Sequence, residues 1–429
     1  MLCKGICEIA DIKRDQYPER TTDMQVCTRC IYDERIPNIN FDEEGVCNYC
    51  RQIEQLDKDY PTGEEGKQYL VTLAEKIKKE SKRKKYDIVI GVSGGCDSSY
   101  LMYYAKEVLG LRPLAVHFDN TWDSKIAVEN IYAVTKKLGI DLYTHVVDNK
   151  EYNDIFKSFM KASVPEIDTP ADIALATTHY LAAKKYGIKY IFEGHSFRTE
   201  GISPVGWFYM DAKYIAGIQK KFGSLPIKTL PNLWITRWLR WITIDGIKKI
   251  RPLYYLDYNK EEVKEFLSAE LGWQWYGGHH MENRTAYFAN NYYLPLKFNI
   301  DLRFCEYSAL VRSGQMTRDE ALVKIKEPKP FDKDILEEVK KRLGFTDEEF
   351  DATMKAPKKT FLDYKTYKQT FEKLRWLFKI LSNMNLVPKS FYLKFTRPYT
   401  YDELKVIYNT TGEQTQVRIF DKFNDSENK

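Results

Sequence analysis

Residues 87–101 read DIVIGVSGGCDSSYL. An apolar run ends in a stretch where three glycines and three serines fall within nine residues, 91 to 99. Glycines after a strand let the backbone turn tightly and bring its N–H groups close to an anion, and a helix starting there adds its positive end. Hydroxyls of Ser93, Ser98 and Ser99 add donors without bulk. The chemistry implied is the holding of phosphate. The lysine-containing pattern G-x-x-x-x-G-K-[ST] is absent, and so is G-x-G-x-x-G. A second set of residues is equally pointed. Cys27, Cys30, Cys47 and Cys50 form C-x2-C-x16-C-x2-C. Each two-residue gap lets a tight turn aim two sulfurs at one ion, and two such knuckles complete the tetrahedron of a structural zinc site. Disulfides are the alternative for paired cysteines, and a reducing cytoplasm disfavours them. Cys3 and Cys7 read as incidental.

These residues need elements to place them. Strand-like runs at 87–93, 114–120, 142–148 and 190–194 alternate with helix-like stretches at 98–109, 125–138, 151–162 and 171–186. This rhythm predicts an α/β fold with a parallel sheet covered on both faces, which binds ligands beyond the carboxyl ends of its strands. The 429 residues exceed one ordinary core. The expected division is a zinc-ribbon region at 1–60, a nucleotide-binding domain at 61–325, and a mainly helical region at 326–429. A Trp- and Arg-rich insertion interrupts the second at 202–250. There Trp234, Trp238 and Trp241 recur at helical spacing, with Arg237 and Arg240 beside them. A core-facing helix is one reading and a partner surface the other. TRDE at 317 and TDEE at 346 read as capping boxes, and 361–382 as one long amphipathic helix. A net charge of +5, from 66 basic and 61 acidic residues, is too small to imply nucleic-acid binding. Neither a secretory signal nor an apolar run of membrane-spanning length is seen, so cytoplasm is the expected location.

Ser93-Gly94-Gly95-Cys96-Asp97-Ser98-Ser99 matches the SGGxDSS loop of the N-type ATP pyrophosphatases, the PP-loop superfamily. Its members cleave ATP between the α and β phosphates and adenylate a carbonyl-type oxygen, and a nucleophile then displaces AMP. The resemblance implies that Ser93, Gly94, Gly95, Asp97, Ser98 and Ser99 hold ATP. Asp97 and Ser93 then take part in the chemistry, and Asp97 helps to bind magnesium. It places Phe118 and Asp119, in HFDN, near the adenosine. Gly194 and His195, in EGHSFRTEG, fall near the nucleotide, with Glu200 a looser magnesium candidate. The x position varies in the superfamily, so Cys96 is not expected to be a nucleophile.

A narrower likeness covers about residues 22 to 325. CTRCIYDERIPNINFDEEGVCNYC joined to the loop, with EGHSFRTEG and SGQMTRDEAL, resembles the N-acetyl sugar amidotransferases of bacterial surface-glycan synthesis. That likeness implies an ATP-dependent enzyme converting an acetamido group on a nucleotide-linked sugar into an acetamidino group. It also implies two partners, a glutaminase and a cyclase-like ammonia-channelling subunit resembling those of histidine biosynthesis. The chain shows no G-x-C-x-G elbow, and its second residue is Leu2, so glutamine hydrolysis is not expected here. The competing reading is a PP-loop tRNA thiolation enzyme, which needs paired cysteines in the ATP domain, where only Cys96 and Cys305 remain. His279 and His280 lack a third ligand at metal spacing. Asp123, Lys125, Arg198 and Arg251 complete the candidates for anion or substrate contacts.

Overall fold

A computed structural model of the chain describes residues 24–278, 280–329, 331–384 and 386–398. Cys3, Cys7 and His279 lie outside the described residues. Five parallel strands make the central sheet: β1 (Ile88–Gly91), β2 (Pro113–Asp119), β3 (Asp141–Val146), β4 (Tyr190–Phe192) and β5 (Lys248–Ile250), in the order β3-β2-β1-β4-β5. The period of two along a strand sorts β1 between faces. Ile88 and Ile90 join one core, and Val89 joins the other.

The first core is closed by α2 (Gly63–Glu80), α3 (Cys96–Tyr103), α4 (Lys125–Leu138) and α9 (Lys260–Leu271). The second lies under α5 (Asn149–Ala162), α6 (Thr169–Lys185) and α7 (Ala212–Phe222). Helix α4 has the span expected from sequence because its ends are coded locally. Ser124 accepts from the Ala127 N–H at one end, and Gly139 turns left-handed at the other. After β1 the chain moves to β2 on one side, and it later returns to β4 on the other. This reversal opens a crevice at the carboxyl ends of β1 and β4, where sheets of this kind hold ligands.

The second core runs on without a break. It takes in Cys27, Cys30, Cys47 and Cys50 beside α1 (Asn48–Asp59), and it continues through Phe288 and Phe298 to Phe371 and Phe378. The C-terminal helices α10 (Arg284–Phe288), α11 (Arg303–Arg312), α12 (Arg318–Lys324), α13 (Lys333–Leu343) and α14 (Asp347–Lys355) are followed by α15 (Lys368–Lys373), α16 (Arg375–Asn383) and α17 (Lys389–Phe395). Arg342 donates to the Thr121 carbonyl at 2.7 Å and lies 3.5 Å above the Trp122 ring, joining α13 to the end of β2.

The structure departs from the sequence reading in two places. Lys248–Ile250, inside the expected insertion, is the fifth strand. The helix expected over 361–382 is broken into a 3-10 turn at Phe361–Asp363, then α15 and α16. Thr360 and Asp363 close a capping box that starts the first piece, and extended backbone at Tyr364 ends it. The break at Leu374 lets Phe371 and Phe378 both reach Phe391, at 5.4 and 5.3 Å between centroids. Of the two capping boxes, Thr346 with Glu349 is complete, while Thr317 accepts from the Glu320 N–H alone. The tryptophan helix, α8 (Ile235–Thr243), is mainly core-facing. Trp241 stacks on Tyr180 at 5.3 Å and Trp238 packs on Phe391 at 5.0 Å, whereas Trp234, Arg237 and Arg240 are exposed. Among the described residues no helix is long and apolar enough to cross a membrane.

Candidate functional site

The loop after β1 is held from behind. Gly94 has φ +77, and a Cβ there would stand 2.2 Å from the Ala127 carbonyl of α4, so glycine is required. Trp273 and Asn130 donate to the Gly94 carbonyl at 2.9 and 3.1 Å. The trans peptide then turns the Gly95 N–H the other way, where Ser93 Oγ accepts it at 3.3 Å. Ser98 Oγ donates to the Gly95 carbonyl at 3.3 Å, and Ser99 Oγ is buried without a hydrogen-bond partner. Helix α3 begins at Cys96, so its positive end opens on the loop.

The segment after β4 presses on this loop. A Cβ on Gly194 would lie 3.1 Å from the Ser98 nitrogen. Several candidates in or near the segment are committed to holding it. His195 donates from Nε2 to the Gly201 carbonyl at 3.1 Å and accepts at Nδ1 from Tyr254 at 2.9 Å, while burial lowers its pKa to about 4 and keeps it neutral. Arg198 pairs with Asp57 at 2.7 Å and donates to the Tyr60 carbonyl at 2.9 Å. Arg251 pairs with Glu193 at 3.1 Å, and Lys249 pairs with the same carboxylate. Burial opposes the charge of Glu193, yet those two cations hold it well below the carboxylate range. Lys125 is exposed and pairs with Glu129 at 3.6 Å. The structure gives Arg198, Arg251 and Lys125 protein partners.

Asp97 and Glu200 meet in the crevice. Lys260 Nζ lies 3.0 Å from Asp97 Oδ2 and 3.8 Å from Glu200 Oε1, and Tyr258 donates to Asp97 Oδ1. Burial works against the Asp97 charge, but Lys260 keeps its pKa below the usual value. Glu200 has the opposite fate: burial, then the Asp97 charge, raise it to about 8. Glu282 Oε1 lies 3.6 Å from His280 Nδ1 and the same distance from where a Gly95 Cβ would be, while its Oε2 is buried without a hydrogen-bond partner. Burial opposes the charge of His280, and Glu282 prevails, raising it to about 9. Crowded carboxylate oxygens, Glu200 raised by burial and by Asp97 and Glu282 Oε2 buried without a partner, suit a hard, oxygen-seeking ion. The residues fit magnesium, which Asp97 and Glu200 would hold. Tyr258, Lys260 and Glu282 are the site residues that sequence reasoning missed.

Cys96 sits behind the loop, 3.5 Å from the Tyr258 hydroxyl, and burial pushes its thiol up to about 12. A thiolate is inaccessible there at neutral pH. Cys96→Ala is therefore expected to keep most of the rate of AMP formation. A variant that still bound ATP but no longer turned over would overturn this placement.

At the end of β2, His117 joins the loop by Nδ1 to the Val92 carbonyl at 2.9 Å and meets Asp123 Oδ2 at 3.1 Å by Nε2. Asp119 accepts from the Thr121 N–H at 2.6 Å, and Phe118 is buried, stacked on His145 at 6.3 Å. Asn283 donates to Asp123 at 2.9 Å and to Asn120 at 2.8 Å, so the start of the C-terminal region closes over this strand end.

The four cysteines are buried with their sulfurs gathered together. Cys27–Cys50 and Cys30–Cys47 sulfurs are 3.8 Å apart. Four thiolates about 2.3 Å from one zinc would be about 3.8 Å from each other. The Cys27 sulfur accepts N–H groups of Arg29, Cys30 and Cys47 at 3.3–3.4 Å. The set fits a closed, structural zinc.

Residues 68–180 match the NAD synthase family, and residues 282–377 match the family described as LPS biosynthesis protein WbpG-like, C-terminal domain. One chain thus carries a segment similar to NAD synthase, of the PP-loop kind, and a second similar to the WbpG-like C-terminal domain. The second match begins at Glu282, whose Oε1 lies beside Gly95 of the loop. An uncharacterized protein of Methanocaldococcus jannaschii is 25% identical over 324 residues, covering 74% of this chain and 98% of the relative. Among solved structures, an NH3-dependent NAD synthetase from Campylobacter jejuni is 14% identical with a TM-score of 0.29, covering 68% of this chain and 98% of its own. A predicted subunit of tRNA methyltransferase from Methanocaldococcus jannaschii is 14% identical with a TM-score of 0.26, covering 42% and 75%. The PP-loop and WbpG-like domains together support an ATP-using amidotransferase-type function.

Proposed function

We propose that the chain adenylates the acetamido oxygen of a nucleotide-activated N-acetyl sugar and replaces that oxygen with ammonia. The products are an acetamidino sugar, AMP and pyrophosphate, in bacterial lipopolysaccharide, O-antigen or related surface-glycan synthesis in the cytoplasm. The observation that carries the reading is the SGGCDSS loop, whose Asp97 meets Glu200 across Lys260, in one chain with a match to the WbpG-like C-terminal domain.

An amide oxygen is a poor leaving group, because resonance with a rotation barrier of ~18–20 kcal/mol stabilises the carbonyl. Transfer of AMP to that oxygen removes the obstacle. The loop of Ser93, Gly94, Gly95, Ser98 and Ser99, with the positive end of α3, holds the departing pyrophosphate. Asp97 and Glu200 would hold magnesium, which neutralises charge developing on the phosphates. Lys260, between the two carboxylates, supplies a further positive charge. Gly194 brings the second segment against the loop and narrows the crevice at the nucleotide. A covalent protein nucleophile is not required.

Thiolation of tRNA needs two cysteines at the nucleotide. Cys96 is engaged with Tyr258 and Cys305 with Tyr32, and burial pushes their thiols up to about 12 and about 11. These positions favour sugar chemistry, with no nucleic acid as substrate.

The nitrogen source is a glutaminase subunit acting with a cyclase-like channelling subunit. Ammonia is mostly protonated at neutral pH, so free ammonium is a poor donor, and a channel would raise its effective concentration at the adenylate. The chain alone should use ammonium salt, faster as pH rises, and should not use glutamine. AMP release measured with each donor tests this. Glutamine-dependent AMP release by the purified chain alone would contradict it.

A further inference from the structure

The SGQMTRDEAL stretch, 313–322, is flanked by Arg312 and carries Arg318, which both bond the cysteine knuckles, while its Ser313 and Gln315 bond the backbone of the segments bearing Glu200 and the two side chains that hold Asp97. We propose that the turn at 312–315 is a strut that sets the carboxylate site from the zinc knuckle, with Gln315 its terminal positioning residue. This rests on reading Asp97 and Glu200 as the ATP–magnesium ligands.

Arg312 ends α11 and forks onto two thiolates from different knuckles, Cys50 at 3.3 Å from Nε and Cys30 at 3.5 Å from Nη2. A planar fork reaches both sulfurs only while the two knuckles are closed on each other. Arg318, at the start of α12, donates to the Cys27 and Cys30 carbonyls at 2.8–3.1 Å. The turn is thus fixed to the knuckle at its start by Arg312 and, three residues past its end, by Arg318. Between them Gly314 is exposed with φ +73, and its two neighbours reach the other way. Ser313 Oγ donates to the Arg198 carbonyl at 2.9 Å, two residues before Glu200. Gln315 Nε2 donates to the Tyr258 carbonyl at 3.1 Å, and its Oε1 accepts the Lys260 N–H at 3.4 Å. Tyr258 and Lys260 are the two side chains that grip Asp97. One amide therefore fixes the backbone on both sides of Asn259, and a continuous hydrogen-bonded route links thiolates to carboxylates. A route seen in coordinates needs energetic evidence of coupling, and a double-mutant cycle supplies it.

The experiment measures calorimetric binding of ATP with magnesium to the full chain, without sugar, alongside zinc content. Gln315→Ala should bind about tenfold more weakly, the scale of one or two lost hydrogen bonds, while keeping its zinc. Arg312→Ala should also weaken binding, and Arg312→Lys should recover part of it. Because both act on one route, the double variant should be no weaker than the worse single one. Unchanged affinity in Gln315→Ala, or losses that multiply independently, would overturn the strut. If Arg312→Ala does not fold, Gln315→Glu carries the test. It keeps the acceptor for Lys260 and loses the donor to Tyr258, so intermediate affinity is expected and unchanged affinity refutes the idea. Amide exchange at 258–260 reads the strut without nucleotide. Faster exchange in Gln315→Ala supports it even where the unaltered chain binds no ATP, an outcome that would overturn the nucleotide reading alone.

Discussion

Asp97→Asn is expected to lower AMP and pyrophosphate formation by about a thousandfold or more, roughly 4 kcal/mol of barrier. Asparagine keeps the shape of the side chain and an oxygen for Tyr258, but it removes the charge that would hold magnesium against the phosphates. The fold should survive. Burial, and after it the Asp97 charge, raise Glu200 to about 8, so neutralising Asp97 removes the second of these causes. Lys260 is then left with Glu200 as its buried partner. The expected stability change is within about 2 kcal/mol, inside the ordinary range for point variants. Pyrophosphate release and thermal unfolding, measured on the same preparation, separate the two effects. Retained turnover would show that the charge at 97 is not what holds the cation.

Loss of the zinc knuckle is expected to be the largest stability effect. Cys27→Ser removes the sulfur that accepts three backbone N–H groups and would complete the metal's coordination. Metal binding at such sites is itself folding energy. Here the knuckle is part of the second core, so its loss exposes Tyr32, Ile36 and Tyr49 as well. A destabilisation of at least about 3–5 kcal/mol is expected, a fall in Tm on the order of 10 °C. Metal analysis should find about one zinc per unaltered chain, as four thiolates require, and none in the variant. A chain that melts at the same temperature after its metal is chelated would contradict the assignment.

Parts of this architecture were legible in sequence because the signal was local. The apolar run into SGGCDSS, the helix over 125–138, and the two C-x2-C knuckles each carry their signal within a short stretch. What was not legible depends on residues distant in the chain. Tyr258 and Lys260 reach Asp97 across about 160 positions, from an ordinary helix start with nothing to mark them. Glu282 follows GHHM without a metal-like spacing, and only the fold sets it beside Gly95. Strand β5 reads as two lysines and an isoleucine; it pairs because β4 offers it an edge. The charge of Arg198 and Arg251 is visible in sequence, whereas the carbonyls and carboxylates that engage them are not. The break at Leu374 answers to Phe391, a residue beyond the periodic stretch itself.

The central claim is that AMP is placed on the acetamido oxygen. It is tested most directly by labelling that oxygen with heavy oxygen in a nucleotide-linked N-acetyl sugar. The chain is then incubated with the sugar, ATP, magnesium and ammonium salt, and both products are weighed by mass spectrometry. The account predicts that the label leaves in AMP, and that the sugar becomes lighter by the difference between O and NH. Label retained in the sugar, or AMP formed without it, would contradict the account.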